Sequence, residues 1–479
     1  MAVMFFVGCT KSTDLITPDN HPADVAIAFD SYLQDSRTTR ATYPNAPLGE
    51  ISNERLREST GGFGVFAQHT GNSQFKYDGA ETGGRPYNFM WNQQVTYDGT
   101  RWTYSPVKYW PNDNQPADDG DNDTGNNPAQ GSQEHSYVSF FAYAPYRSVT
   151  TPSAGATPAS DDDGIVGMTG NGTNAGASYL HYRTSKDKPF GVNESVDLLW
   201  ASQHDRYKMD GGGYTTGSVD FVFKHALSKV TVNVKALVDR TTDHASPAYS
   251  TDVDGNTKIF IDNVAITTPD IYTEGKLWVA PDATTPTWDY TGLDSKKYTG
   301  FAYSTTASTM FDDQVKYSLR YVAPNVPVNA SITDTDSDGL DDVTGLTLVE
   351  TARADFDAME QGVTATEQQL SAKYDTYMFC PSTDTEALSV TAVYHVVTFD
   401  PQLTLNNPKY YSDVTNNITA TLDKTDFKFE PNRQYKIVLN LGLTSIKFEI
   451  SMLDDSGEWI LLSAVVKEWD PETREVNVE

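Results

Sequence analysis

A chain of 479 residues is too long for one small core and fits two or three domains. Lys and Arg number 35 against 65 Asp and Glu, a formal net charge of −30 that repels phosphate backbones and anionic lipid headgroups, which excludes nucleic acid as a natural partner and polybasic membrane docking. Aromatic residues make up 12% of the chain, too many for a solvating acidic tail, and two cysteines exclude a disulfide framework and a multi-cysteine zinc site. With Thr, Asp, Asn, Gly, Pro and Tyr plentiful and long Leu/Ala/Glu/Lys runs missing, the composition is that of a large, acidic, β-rich body.

The first element is an apolar run, Met4-Phe5-Phe6-Val7-Gly8, that ends in Cys9. It resembles the lipobox of bacterial lipoproteins, in which a signal peptidase cuts before the Cys and the residue is then acylated. The resemblance implies lipidation of Cys9, with residues 1–21 as lipoprotein signal and tether. Phe6 stands where that family has Leu, and no basic residue precedes the run. The stretch 2–8 reaches only the short end of a secretory h-region, so either the natural start lies upstream of Met1 or the match is fortuitous. Cys380, in Tyr377-Met378-Phe379-Cys380-Pro381, reads instead as a buried small hydrophobe. No later stretch is apolar over the length needed to cross a bilayer as a helix.

Val25, Ile27 and Phe29 alternate with alanines, the pattern of a half-buried strand. The polar stretch after it holds Arg37 and Arg40, either a protease-accessible site or an ordinary surface loop. A short helix is predicted within Leu48 to Arg57. Strands are predicted at 63–67, 93–97, 101–104 and 139–146, with Asp98-Gly99 as a hairpin turn between the second and third. Pro116 to Gly131 and Thr150 to Gly176 read as solvated low-complexity loops. A second cycle of strands follows at 219–223, 230–234, 259–261, 388–399, 427–429, 435–441 and 446–450. One further helix, within Thr351 to Leu370, is weakened by Gly362. Alternating strands with turn chemistry between them imply an all-β chain of β-sandwiches with long acidic loops. The Gly-rich Asp210 to Tyr214 sets the expected division, an N-terminal sandwich over 22–215 and a C-terminal one over 216–479.

Several patches in order carry a resemblance. They are Arg40-Ala41, Gly62 to Ala67, Trp102 with Trp110-Pro111, Phe140 to Pro145, Asp197 to Ala201, Phe223 to Val230 and Phe429 to Tyr435. Together they resemble the fimbrillin family of type V pili from Bacteroidia. The resemblance implies two tandem transthyretin-like, Greek-key β-sandwich domains and a structural role as a pilus subunit or surface adhesin. It also implies export to the outer membrane as a lipoprotein and cleavage after Arg40, or Arg37, by a processing protease. The first strand (Val25, Ile27, Phe29) would then be removed, and a C-terminal strand of another subunit would fill the groove. The candidate donor lies within 459–479 and includes Ile460, Leu462, Val476 and Val478; the same segment could equally be a strand of its own sandwich. The implied partners are other pilus subunits, the protease and a host or bacterial surface ligand.

The chemistry-bearing alternatives are few. Asp334, Asp336 and Asp338 followed by Gly339, with Asp342 beyond, reproduce the opening of a Ca²⁺ loop. Gly345 stands where an EF-hand needs Glu, so the options are a simpler calcium-stabilised loop or a solvated acidic turn. No other cofactor is implied. The eight histidines form no H-E-x-x-H or H-x-H cluster, and His225 reads as a packed, hydrogen-bonded residue. There is no nucleophile elbow, P-loop or dinucleotide fingerprint, so the chain is not read as an enzyme. The alternative function is a monomeric surface glycan-binding lipoprotein, with Trp91, Trp102, Trp110 and Tyr146 stacking on sugars if they are exposed rather than core residues.

Overall fold

The computed structural model describes residues 26–33, 51, 53–58, 62–71, 87–111, 136–148, 163–168, 179–207, 218–237, 256–279, 285–304, 313–314, 345–359, 362–371, 376–382, 384–400, 403, 410–422, 424–454 and 458–468. In chain order the first elements are β1 (Ala28–Leu33), α1 (Asn53–Glu58), β2 (Phe63–Gly71), β3 (Met90–Tyr97), β4 (Trp102–Thr103), β5 (Tyr137–Ala144), β6 (Gly164–Met168), β7 (Tyr179–Arg183), β8 (Leu199–Arg206) and β9 (Ser218–His225). Next come β10 (Ser228–Leu237), β11 (Thr257–Tyr272), β12 (Glu274–Trp278), β13 (Trp288–Asp289), β14 (Lys297–Ser304) and β15 (Asp313–Gln314). The chain continues with α2 (Gly345–Ala358), β16 (Gln368–Gln369), β17 (Tyr377–Phe379), β18 (Ser389–Phe399), β19 (Tyr411–Thr421), β20 (Arg433–Gly442), β21 (Ser445–Leu453) and β22 (Trp459–Glu468).

Four sheets result. The first has seven strands in the order β1-β9-β8-β5-β2-β3-β4. Its two edges meet: Ala26 bridges Tyr109, and the Ile27 N–H donates to the Lys108 carbonyl at 2.9 Å. The sheet therefore rolls around an interior lined by Phe29, Phe63, Val65, Phe140, Phe221 and Phe223. Strands β5 and β2 are apolar on both faces because each separates two cores. Phe140 and Val65 point into the roll, while Phe141 and Phe66 join a second cluster outside it. An unbroken apolar run such as Phe140 to Ala144 is the sequence signature of that position.

On the outer face of the roll lies a four-stranded sheet, β13-β12-β7-β6, in which Leu180 and Tyr182 of β7 face the same cluster as Leu277 of β12. The remaining two sheets, β16-β10-β20-β21-β22 with β17 on β10, and β15-β14-β11-β18-β19, enclose a third core between them. The all-β, sandwich-forming class expected from the sequence is what the chain adopts.

The arrangement differs from the strand-by-strand expectation in three places. The stretch expected as a solvated loop between Thr150 and Gly176 contains β6, whose Ile165 and Met168 are buried beside β7; three apolar residues in a Gly-rich setting gave too short a run to register as a strand. The second helix lies earlier than predicted, from Gly345 to Ala358. Beyond it the backbone of Val363 pairs with the Ile259 carbonyl at 2.8 Å, and a Cβ at Gly362 would stand 2.6 Å from that same oxygen. Lys258 ends the helix by donating its ammonium to the carbonyls of Phe356 and Met359 at 2.7 and 3.2 Å, completing groups that a helix C-terminus leaves open. The predicted strand 427–429 forms only an isolated bridge, Phe427 to Glu386.

Hydrogen bonding does not change partners at residue 215: β9, beyond that position, pairs with β1 and β8 of the first sheet. The segment 210–214 lies outside the described residues.

Gly62, at the entry to β2, has φ +63°, and an added Cβ would stand 1.9 Å from the Val95 carbonyl oxygen. Replacement by Ala is therefore both conformationally strained and sterically blocked by main chain. We expect Gly62→Ala to lower stability by about 2–4 kcal/mol, read from the midpoint of urea unfolding, whereas Gly99→Ala, in open space at an exposed turn, costs less.

Candidate functional site

The sequence marks the first strand and the last, and the fold gives each a distinct setting. β1 is slotted between two pieces of main chain. On one side it runs parallel to β9, with Ala28 opposite Ser218 through Leu33 opposite Phe223. On the other side the chain just before it meets the segment that follows β4, through Ile27 to Lys108 and Ala26 to Tyr109. Ala26, Ala28 and Asp30 are exposed, while Ile27, Phe29 and Ser31 turn inward.

Phe29, 5% exposed, sits among four rings. It stacks on Phe221 at 5.7 Å, tilts against Tyr104 at 5.1 Å and meets Phe140 and Phe63 edge-on at 6.0 and 6.4 Å. Tyr104 also ties the strand through its hydroxyl, which donates to the Ile27 carbonyl at 2.9 Å and accepts from the Lys108 N–H at 3.1 Å; burial raises its pKa. The Ser31 hydroxyl is buried with no hydrogen-bond partner among the described residues, a local cost within an otherwise satisfied strand.

Toward the other end of the chain, β22 is the outer strand of its sheet and, among the described residues, pairs only with β21. Leu462 and Val465 pack partly against the C-terminal core. Trp459, Ile460 and Leu461 remain 39%, 46% and 54% exposed, and the Lys436 ammonium lies 4.9 Å from the Trp459 ring centre. Three consecutive apolar residues on an open strand edge form a template for further pairing. Ile460 and Leu462 thus share one edge strand, whereas Val476 and Val478 lie outside the described residues. So do Cys9, Val25, Arg37, Arg40 and the acidic loop with Asp334, Asp336, Asp338 and Asp342. Among the described residues no group of three or more His, Cys, Asp or Glu could hold a metal, and no helix is long and apolar enough to cross a membrane.

Between the two ends, β7 and β12 pair directly, Glu274 opposite Arg183 through Trp278 opposite Tyr179. Buried Trp200 donates its indole N–H to the Val279 carbonyl at 3.1 Å, and Trp288 donates to Ala226 at 2.8 Å, so each side of the junction supplies an indole to the other. Glu274 receives Lys296 at 2.8 Å, with the His181 ring at 3.7 Å; together His181 and Lys296 hold its carboxyl down to about 2 against the cost of burial. His225 is, as expected, packed and hydrogen-bonded: its Nδ1 lies 2.8 Å from Asp197. Burial opposes ionisation of Asp197, but His225 and the Ile51 N–H outweigh it and leave the pKa below the ordinary value.

Of the two readings of the aromatics considered for sugars, the core one holds for Trp102 and Trp110. Trp102 and Trp110 are interior residues of the roll, 7% and 6% exposed, because alternation carries them to the same face as Phe63 and Phe140. Trp91 and Tyr146 are partly buried against the cluster on the opposite face. Sequence reasoning missed Tyr104 as the residue that grips the first strand and the indole exchange at the junction. An aromatic at the end of a short strand carried the only signal for the former.

Residues 132–334 match a family described as fimbrillin-like. Over that span the chain is similar to the fimbrillin family. The matched span contains β6, β7, β12 and β13, so all four strands of the central sheet lie inside it. A relative, the fimbrium subunit Fim1C of Phocaeicola vulgatus, is 25% identical over 244 residues, and the match spans 51% of this chain and 52% of the relative, about half of its length. Solved structures with similarity include a fimbrial protein from Bacteroides vulgatus (17% identity, 93% of this chain and 99% of that one, TM-score 0.46). The fimbrial anchor protein Mfa2 from Porphyromonas gingivalis is another (9% identity, 93% and 98%, TM-score 0.28).

The first-strand pocket and the Glu274 carboxyl each give a prediction. Phe29→Ala empties a four-ring pocket and should cost about 3–5 kcal/mol, read by urea unfolding, with Ala28→Ser at an exposed position near neutral. Because the Glu274 pKa is lowered, its stabilisation is fully present above pH 4.5 and fades as pH falls toward about 2. In acid titrations followed by tryptophan fluorescence, Glu274→Gln should flatten the stability profile across that window.

Proposed function

We propose that this chain is a subunit of a surface fimbria assembled by strand exchange, from a precursor lipidated at Cys9 and anchored in the outer membrane. Proteolysis after Arg40 or Arg37 then releases the first strand. The observation that supports the reading is the setting of β1, which is bound to main chain on both sides and is followed in the chain by the segment that holds both arginines. Its departure exposes the edge of β9, the edge of 104–109 and the pockets of Ile27 and Phe29. An incoming strand satisfies the same groups by β-augmentation.

The donor in this scheme comes from residues 459–479 of another copy, where Ile460 and Leu462 already stand on an edge strand. A head-to-tail contact of this kind does not close on itself and so builds a filament. The role is structural, with other fimbrial subunits, the processing protease and a surface ligand as partners. The acidic loop at Asp334 to Asp342 is left as a candidate structural Ca²⁺ site.

The test is limited trypsin digestion of chain lacking Cys9, followed by intact mass and by gel electrophoresis without heating. Early cleavage after Arg40 or Arg37 with growth of denaturant-resistant ladders is the expected result; Ile460→Asp combined with Leu462→Asp should leave the cut intact and abolish the ladders. Cleavage scattered through the chain, with a persistent monomer, would sink the proposal. Phe29→Ala should speed the first cut and leave the ladders as stable as before, since residue 29 is absent from the processed subunit.

A further inference from the structure

We propose that a cleft of about 330 Å³ at the meeting point of the roll, the central sheet and the C-terminal sandwich binds a sugar that carries a carboxylate, of the hexuronic acid class. Its walls come from four separated stretches: Lys224 on β9, Thr285 to Trp288 leading into β13, Pro381-Ser382 after β17, and Lys428 to Arg433 before β20. The charge of the cleft runs against that of the chain. Among its thirteen lining residues Lys224, Lys428 and Arg433 are basic and Glu430 alone is acidic, where the whole chain carries 35 basic and 65 acidic residues. The lining thus holds two more basic than acidic residues in a protein of net −30, a composition that favours an anion over a cation.

The walls are held in place without a ligand. Asn432 adopts the left-handed backbone conformation, φ +60°, and is fixed by two bonds to the neighbouring elements: its Oδ1 accepts the His225 N–H at 2.9 Å, and its N–H donates to the Leu227 carbonyl at 3.1 Å. Trp288 is pinned through its indole N–H to Ala226, and the buried Ser382 hydroxyl oxygen accepts the Asp384 N–H at 2.9 Å, leaving its own proton to donate. A site whose groups are already ordered loses little entropy when it binds.

The chemistry selects the ligand class. Lysine and arginine suit a carboxylate, while the Ser and Thr hydroxyls match a ring of alcohols. The rings of Pro286, Pro381 and Pro431 and the edge of Trp288 suit sugar C–H groups. The volume lies at the small end of ligand pockets, which run about 300–1,000 Å³, more than an inorganic anion fills and too little for a folded partner. The site does not depend on assembly, so it is testable on the monomer.

The experiment is isothermal titration calorimetry of the full chain with sodium glucuronate at low ionic strength, against glucose, sodium sulfate and the dipeptide Asp-Glu. Saturable glucuronate binding that weakens with salt and falls about tenfold or more in Lys428→Glu, for loss of one charge-assisted hydrogen bond and gain of a repulsive carboxylate, is the expected outcome. Lys467→Glu, an exposed position on β22, should leave it unchanged. Lys428→Gln, with its unfolding midpoint checked against the parent, supplies a milder variant. Absence of saturable binding, or binding untouched by Lys428→Glu, overturns the site. Equal binding of glucose or sulfate overturns the carboxylate-sugar class, and preference for Asp-Glu overturns it in favour of an acidic peptide.

Discussion

The main-chain groups that face β1 are the constraint on which the first half of the molecule depends. A rolled seven-stranded sheet has two edges, and each edge is a row of N–H and C=O groups that must find partners when buried. Ala26 to Leu33 supplies them to both at once, antiparallel to Tyr109 and Lys108 at one border and parallel to β9 at the other. Ile27 and Phe29 then pack into the apolar interior of the seam. Burial of Ile27 and Phe29 is worth about 1.5–3 kcal/mol each, a large part of the marginal stability of a domain.

Behind the roll, the central sheet does a different task. Because β7 and β12 come from opposite sides of residue 215 and share a ladder, the two halves are joined by main-chain hydrogen bonds as well as by side chains. The reciprocal indole bonds of Trp200 and Trp288 and the stack of Tyr272 on Tyr290, 3.8 Å between ring centres, add buried polar and aromatic contacts to the same layer. The Lys296–Glu274 pair at its border is almost fully buried on the carboxylate side, so it is strongly coupled to protonation, while exposed pairs such as Arg101–Asp98 are screened by water.

Acidity and edge exposure balance each other at the C-terminal end. Trp459 to Leu461 would invite uncontrolled pairing on a neutral protein. On a chain of net charge −30, approach of a second copy is opposed at long range.

Much of this was legible in the residues themselves. Period-two alternation located β9, β10, β18, β20 and β21, Asp98-Gly99 located a turn in which the Asp98 carboxylate accepts the Thr100 and Arg101 N–H groups, and unbroken apolar runs marked strands with two buried faces. These are local properties, fixed by where successive side chains point and by which residues tolerate a turn. The tertiary structure alone decided that Tyr104 grips Ile27 from 77 positions away, that β6 belongs to a sheet rather than a loop, and that Lys224 meets Lys428 and Arg433 around one cleft. It also turned Trp102 and Trp110 inward, where a row of exposed rings had been an open reading. The reason is physical: strand pairing joins residues hundreds of positions apart through main-chain groups that every residue carries, so the sequence specifies which segments become strands far more directly than which strands become neighbours.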